Sequence, residues 1–189
     1  MDPVRVHVET RSELQGNRLT GYAAVYDQAT RLTSSYEAVA AGAFDQVLER
    51  GDDVRALFEH NPGSLLGRTS SGTLRLWSDS QGLGFELDLP RTSLGNDVRE
   101  LAERGDLTGA SVGFVPEHDR RDLTADGLTL RTHTSVKMLR DISPVAFPQY
   151  EGTSVMLRSL ELATVDHGMR NRARLIRARH TIRIGDDKR

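Results

Sequence analysis

The chain has 189 residues, which is long enough for one domain with a full hydrophobic core and short for two. Its composition is 37% hydrophobic and 28% charged, as in soluble globular proteins, and no apolar run approaches the roughly 20 residues that a membrane helix needs. The net charge is −2 and cysteine is absent, which excludes disulfides, thiolate catalysis and Cys-ligated zinc. Residues 1–5 lack the basic and apolar regions of a secretory signal.

The charge is unevenly distributed along the chain. Residues 158–189 contain nine Arg or Lys and four Asp or Glu, whereas the first 157 residues are acidic on balance. This difference predicts a folded body over 1–157 and a basic tail over 158–189. Such a tail could bind nucleic acid or an acidic partner, or it could simply be solvated.

Hydrophobic periodicity predicts many short strands and two or three helices. Val4, Val6 and Val8 alternate with polar residues, as in a strand with one buried face. Helical spacing predicts helices over 40–48 and 94–102, ended by glycines at 51 and 105. The other predicted strands cover 18–26, 54–58, 73–77, 83–89, 109–115, 128–137 and 139–145, with a turn over 61–63. This pattern predicts a mainly β protein of the α+β class, with a closed or nearly closed β-barrel surrounded by helices.

Ser111 differs from the other hydroxyl residues in its setting. It lies among small residues, 109–113, within a predicted strand. The two-residue period of a strand places Ser111 and Gly113 on the same face, so a substrate backbone would have room beside the hydroxyl. Small residues on a strand also serve packing, and this pattern alone does not separate the two roles.

A serine needs a base to act as a nucleophile near neutral pH, and the base is usually histidine. His60 is the favoured candidate because it ends an apolar strand just before a Pro-Gly turn, a position where catalytic groups are often found. The alternative is a histidine that only caps the turn. Four other histidines lie on a polar face, in a charged stretch or in the tail: His7, His118, His167 and His180.

Asp141 is the candidate for a third group that orients the histidine. It is a carboxylate in an otherwise apolar strand, where a buried charge needs a partner. His133 is the alternative third member, and a salt bridge to an arginine is the alternative role for Asp141. No cofactor and no metal are expected, since the chain has no His-Glu-x-x-His pattern.

Five segments, in this order, resemble the prohead serine proteases of tailed phages, a family with a fold similar to the herpesvirus assemblins. The histidine segment is 57–61 followed by 66–69, and the nucleophile segment is 109–114. The opening strand, a helix start and a closing acidic-Ile-Ser motif are similar too, at 19–26, 40–44 and 140–148. The family often has aspartate after the histidine and glutamate in the closing motif, where this chain has Asn61 and Asp141.

The resemblance implies a serine endopeptidase with a protease domain over 1–157 and a C-terminal tail over 158–189 that could be flexible or self-cleaved. Ser111 would be the nucleophile and His60 its base, with Asp141 holding the imidazole tautomer. Backbone amides would form the oxyanion hole, and the loop over 147–152 is the candidate for it.

The implied substrates are the major capsid protein and its scaffolding segment, cleaved during head assembly, and the chain itself by self-cleavage. The implied place is the host cytoplasm, inside the assembling phage prohead, with no membrane and with a homo-oligomer as one option. Two other classes stay open: a catalytically inactive capsid-assembly scaffold, and a nucleic-acid-binding module that uses the Arg-rich tail. Nucleic acid is not expected as a partner, because no aromatic residues interleave with the tail arginines.

Overall fold

The computed structural model describes residues 4–9, 17–146 and 156–157, and all of them belong to one compact unit. The helices are α1 (Asp45–Glu49) and α2 (Ser93–Arg104), and Thr69–Ser71 form one 3₁₀ turn. The strands are β1 (Val4–Glu9), β2 (Arg18–Val25), β3 (Thr30–Arg31), β4 (Ser35–Val39), β5 (Arg55–Phe58), β6 (Asn61–Arg68), β7 (Leu74–Ser78), β8 (Gly82–Asp88), β9 (Gly109–Leu123), β10 (Thr129–Val145) and β11 (Met156–Leu157).

The strands form two sheets. The larger sheet runs β1-β9-β10-β4-β3, and β5 also pairs with β10 and carries β6 on its other side. The smaller sheet runs β11-β2-β8-β7. The long antiparallel pair β9–β10 is the centre of the larger sheet, and four register shifts along this ladder let the two strands bend.

The prediction of a closed or nearly closed barrel surrounded by helices is wrong. Over the described residues both sheets are open, and only two helices accompany them, although the α+β class is consistent with this architecture. Alternating hydrophobicity shows which residues face a core. Closure depends on hydrogen bonds between the end strands, which alternation does not encode.

One hydrophobic cluster unites the two sheets. The ring of Phe44, just before α1, packs edge-on against Phe114 of β9 with centroids 5.6 Å apart. Fully buried members come from both sheets: Leu19, Phe85, Leu87, Val112, Phe114 and Ile142. Because Val112 and Phe114 face this core, the alternation of β9 turns Ser111 and Gly113 to the opposite face.

The helix over 94–102 is confirmed, with its ends set by caps. The side chain of Thr92 accepts a hydrogen bond from the Gly95 amide at 3.2 Å, and Gly105 ends α2 in the left-handed conformation. In the part of the chain with described structure, no helix is long and apolar enough to cross a membrane.

The predicted pattern differs from the structure in several places, and the helix predicted over 40–48 covers only Asp45–Glu49. Residues 61–63, predicted as a turn, begin strand β6, and β4 was not predicted. The strands predicted at 128–137 and 139–145 form one continuous strand, β10. The alternation of buried and exposed residues shifts at bulges in this strand, and the strand is not interrupted there.

Candidate active site

The neighbouring strands β9 and β10 bring four small or polar residues together. Ser111 lies opposite Ser143, and Gly113 lies opposite Asp141. Directly opposite residues of an antiparallel pair share a face. Ser111, Gly113, Asp141 and Ser143 therefore form one patch on the face turned away from Phe114.

His60 reaches this patch from a tight turn between β5 and β6. Phe58 pairs with Asn61, so Glu59 and His60 are the two turn residues, with φ of 55° and 53°. A two-residue hairpin of this kind needs a positive φ at both positions, and asparagine and glycine are preferred there. For other residues the left-handed conformation costs about 1–2 kcal/mol each.

Glu59 ties the turn to the end of β10. Its amide donates to the Pro144 carbonyl at 3.1 Å, and its carboxylate accepts a hydrogen bond from the Ala146 amide at 2.6 Å. Since β5 also pairs in parallel with β10 at Asp141, the turn is held at two points. These contacts offset the strain of the turn and fix His60 beside the patch.

The imidazole of His60 joins Ser111 to Asp141. His60 Nε2 lies 2.6 Å from Ser111 Oγ, and His60 Nδ1 lies 2.5 Å from Asp141 Oδ1. A carboxylate only accepts, so in the neutral imidazole Nδ1 carries the proton and Nε2 accepts from the serine hydroxyl. Ser–His–Asp series with this geometry occur on unrelated folds and activate a serine for acyl transfer.

Two further residues fix the Asp141 carboxylate. Ser143 Oγ donates to Asp141 Oδ1 at 2.7 Å, so this oxygen accepts from both Ser143 and His60. A Cβ atom on Gly113 would lie 2.2 Å from Asp141 Oδ2, a distance that real Cβ atoms essentially never show. The space that the sequence assigns to a substrate backbone beside Gly113 is thus occupied by Asp141.

The site is largely buried. Ser111 has no exposed surface, and His60 is 8% exposed. In a low-dielectric setting the hydrogen bonds of the series are stronger than in water. The Ser111 hydroxyl is also shielded from solvent in this conformation.

A groove of about 780 Å³ opens beside the buried site. His60, Gly113 and Asp141 line it together with residues of β5, β6, β10 and the α1–β5 connection. Its apolar lining is Leu57, Pro62, Leu65, Met138 and Leu139. This volume is typical of sites that hold small ligands or short peptide segments.

Two acidic residues of the groove wall, Asp52 and Asp53, are paired with arginines. Arg50 donates to both carboxylate oxygens of Asp52 at 2.7 Å, and these hydrogen bonds hold the pKa of Asp52 below its usual value. Arg68 makes two hydrogen bonds to Asp53, which lower the pKa of Asp53 well below its ordinary range, and Arg55 lies 3.5 Å from the same carboxylate. Both carboxylates are therefore ionised and neutralised by neighbours.

His133, the alternative third member, lies elsewhere. It is fully buried, its ring packs edge-on against Phe114 with centroids 5.3 Å apart, and its nearest carboxylate is Glu37 at 3.8 Å. Its ring nitrogens make no hydrogen bond to the part of the chain that the structure describes. His133 is thus on the core side of β9 and β10, whereas Ser111 is on the other face.

Sequence reasoning missed Ser143, Gly113 and Glu59 as supports of the site. The signal for Ser143 was present, because residues two apart on a strand share a face and Ser143 follows Asp141 at that spacing. The role of Glu59 had no such signal, since it depends on a turn without asparagine or glycine. The oxyanion candidate at 147–152, the tail and the side chain of His7 lie outside the described residues.

The described residues include no group of three or more His, Cys, Asp or Glu that could hold a metal ion. A family model for the caudovirus prohead serine protease matches residues 6–168 of the chain. No curated protein and no solved structure gives a significant match. The chain belongs to the caudovirus prohead serine protease family and is a hydrolase of peptide bonds that acts in bacteriophage capsid maturation.

Proposed function

We propose that this serine protease uses Ser111 as its nucleophile, His60 as its general base and Asp141 as the group that orients the imidazole. The observation that carries the proposal is the series of hydrogen bonds from Ser111 Oγ through His60 to Asp141, at 2.6 and 2.5 Å. Family membership supports a serine nucleophile independently of this geometry.

In the acylation step, His60 Nε2 takes the proton of Ser111 as Oγ attacks the carbonyl carbon of the scissile bond. The imidazolium then forms an ion pair with Asp141. When the tetrahedral intermediate collapses, Nε2 gives its proton to the amine that leaves. The result is an acyl ester on Ser111 and a released peptide with a new N-terminus.

In the deacylation step, water enters where the amine departed. His60 Nε2 takes a proton from this water, whose oxygen attacks the ester, and the proton returns to Ser111 Oγ. The second fragment leaves with a new carboxyl group. The enzyme is regenerated with its original tautomer, Nδ1–H towards Asp141.

Ser143 and Gly113 act on this cycle through Asp141. Ser143 donates to the same oxygen that accepts from His60, and the missing Cβ of Gly113 leaves room for the other oxygen. A carboxylate fixed in this way keeps the imidazole in one orientation through both proton transfers. We treat both as positioning residues, since they act through Asp141.

The full burial of Ser111 adds a step before the chemistry. A peptide carbonyl must come within contact distance of Oγ, so substrate binding has to uncover the hydroxyl. In the larger sheet, β1 pairs with β9 and places His7 opposite Ser111 in the register. Movement along this edge of β9 is one route by which a substrate could reach the nucleophile.

The substrates that we propose are the major capsid protein and its scaffolding segment, cleaved inside the assembling phage head within the host cytoplasm. Family membership supports a capsid or scaffold substrate. We also propose self-cleavage between residue 159 and the C-terminus, which would remove most of the basic tail at 158–189. A protease confined with its substrates would meet both at high local concentration.

Labelling with a fluorophosphonate probe, followed by peptide mapping, tests the assignment of the nucleophile. We expect the label on Ser111, and its loss in Ser111→Ala and His60→Ala. Ser143→Ala removes the equally buried hydroxyl opposite Ser111 and should keep the label on Ser111, at a lower rate because Ser143 positions Asp141. A label on Ser143 or elsewhere, retained in Ser111→Ala, would overturn the assignment.

A further inference from the structure

The groove beside His60 contains exposed large hydrophobic side chains, which are rare elsewhere on the described surface. In the part of the chain whose side chains are described, four large hydrophobic residues are exposed: Leu65, Trp77, Leu123 and Met138. Two of them, Leu65 at 51% and Met138 at 47%, line the same groove, where Leu57 and Pro62 extend the apolar surface. Apolar side chains grouped at a concave surface mark a binding site, whereas scattered ones do not.

The groove lining carries an excess of positive charge. Asp52 and Asp53 are paired with arginines, and Asp141 accepts from His60 and Ser143. Lys137 and Arg140, on either side of Met138 and Leu139, line the groove, and their side chains make no ion pair or hydrogen bond to the described residues, although the Lys137 carbonyl accepts from Arg50. A ligand in the groove therefore meets an apolar surface bordered by two unneutralised cations.

We propose that this groove binds the substrate chain through a large apolar side chain that has Asp or Glu close to it in sequence. This inference rests on the proposed function and deepens it by naming the substrate class. The apolar side chain would pack between Leu65 and Met138, and the carboxylates would approach Lys137 and Arg140. Because His60 and Asp141 line the same groove, the bound segment adjoins the scissile bond.

Each element of the proposal makes its own contribution to specificity. Burial of a large apolar side chain is worth enough to change cleavage efficiency by about tenfold or more. Exposed ion pairs contribute less, about two- to fivefold each, and salt weakens them. The apolar contact therefore determines most of the affinity for a substrate segment. The two cationic side chains then favour acidic segments over other apolar segments.

The first arm of the test is cleavage of a randomised decapeptide library by the full-length chain, with sites read by mass spectrometry. We expect Leu, Met, Ile, Val or Phe within about two or three positions of the cleaved bond, and Asp or Glu enriched nearby. Sites with no apolar or acidic enrichment would overturn the inference and leave the protease assignment intact. If no peptide is cleaved, the second arm decides.

The second arm measures binding without chemistry. Fluorescence anisotropy follows a labelled apolar-acidic peptide on Ser111→Ala protein, alone and combined with Leu65→Ser, Met138→Ser or the pair Lys137→Glu and Arg140→Glu. We expect about tenfold weaker binding for each apolar change. The variant with both Lys137→Glu and Arg140→Glu should bind the acidic peptide severalfold more weakly. It should bind a peptide with Lys in place of Asp or Glu more tightly, and its affinity for a neutral Asn/Gln peptide should be unchanged.

Matched controls exist on the same chain. Leu123→Ser removes a more exposed leucine, 79% accessible, from the distant end of β9, and Arg91→Glu reverses an exposed arginine outside the groove. Neither should change peptide binding. Equal effects of control and groove variants, or none from the groove variants, would overturn the inference. Groove-dependent binding together with no cleavage by unmodified protein would instead count against the proposed function.

Discussion

His60 is the residue on which the proposed chemistry depends, because it contacts both other members of the series. One ring nitrogen faces Ser111 and the other faces Asp141, at 2.6 and 2.5 Å. Its backbone is in the left-handed conformation, φ 53°, which non-glycine residues adopt only when surrounding contacts hold them. Backbone strain at the same residue as the proposed base is consistent with a site built for function rather than for stability.

We predict that His60→Ala and Ser111→Ala each lower kcat by about 10⁵-fold or more, and that the double variant is little worse than either. The two groups act as one unit, so removing the second costs nothing further. Steady-state kinetics with a peptide substrate measure all three proteins. Losses that multiply in the double variant would show that His60 acts independently of Ser111.

Asp141→Asn should cost far more activity than His133→Ala. An amide at position 141 would favour the wrong tautomer of His60, a change that costs about 10⁴ in kcat in a Ser–His–Asp series. His133 is on the core side of the sheet and touches Phe114, so its removal should lower stability while activity per folded molecule falls less than about tenfold. The measurement is kcat per folded molecule for Asp141→Asn and for His133→Ala. A larger loss of kcat in His133→Ala would place His133 in the catalytic series.

Ser111, His60 and Asp141 could be singled out from the sequence because each departs from the pattern of its own segment. A serine among small residues, a histidine at the end of an apolar strand and a carboxylate in an apolar strand are all visible without a structure. Ser143 and Glu59 could not be ranked in this way. Their roles depend on strand register and on a turn whose sequence lacks the usual residues.

The pair β9–β10 sets the site, since its register places Ser111 beside Ser143 and Gly113 beside Asp141. Gly113→Ala tests this arrangement directly. A Cβ there would lie 2.2 Å from Asp141 Oδ2, so the carboxylate must move away from His60. We expect at least a hundredfold loss of kcat, because a displacement of about 1 Å is enough to cost that much.

Gly63→Ala is the control for Gly113→Ala. Its added Cβ would meet only the exposed side chain of Asn61, at 3.3 Å, and should leave activity within about twofold. Thermal melts of both variants show whether a loss of activity comes from unfolding or from a displaced Asp141 carboxylate. Full activity in Gly113→Ala would mean that the position of Asp141 is not required.

The elements that the sequence predicts well are those with local signals. Gly105 marks the end of α2, and the strands predicted over 73–77 and 83–89 are found as β7 and β8 within one residue at each end. The turn after β5 lies at 59–60 and not at 61–63 as predicted, because Asn-Pro-Gly is a strong turn signal and Glu-His is not. In the folded protein the contacts of Glu59 with Pro144 and Ala146 override the local preference.

Open sheets make the described fold different from the barrel that the strand pattern predicts. Two sheets share one hydrophobic cluster, and within the described residues no ladder closes either of them. The division into a protease domain at 1–157 and a basic tail at 158–189 remains a prediction. The cationic stretch of that tail is separate in sequence from every residue of the proposed site.

Truncation after Leu160 should therefore leave a folded protease with unchanged kinetics on peptides. All described elements lie before this point, and the removed segment carries most of the basic charge of the tail. We predict that the truncated chain is incorporated less well into assembling heads, because exposed cations recruit acidic partners through many weak, salt-sensitive contacts. Equal incorporation of truncated and full-length chains would contradict the recruitment role.

The central claim is that Ser111 is the nucleophile that processes capsid protein, and co-expression with the capsid protein tests it most directly. The measurement is the intact mass of capsid protein recovered with unmodified chain or with Ser111→Ala, whose fold is checked by thermal melting. The account predicts shortened capsid protein with the unmodified chain and only full-length capsid protein with Ser111→Ala. Complete processing by a well-folded Ser111→Ala protein would contradict it.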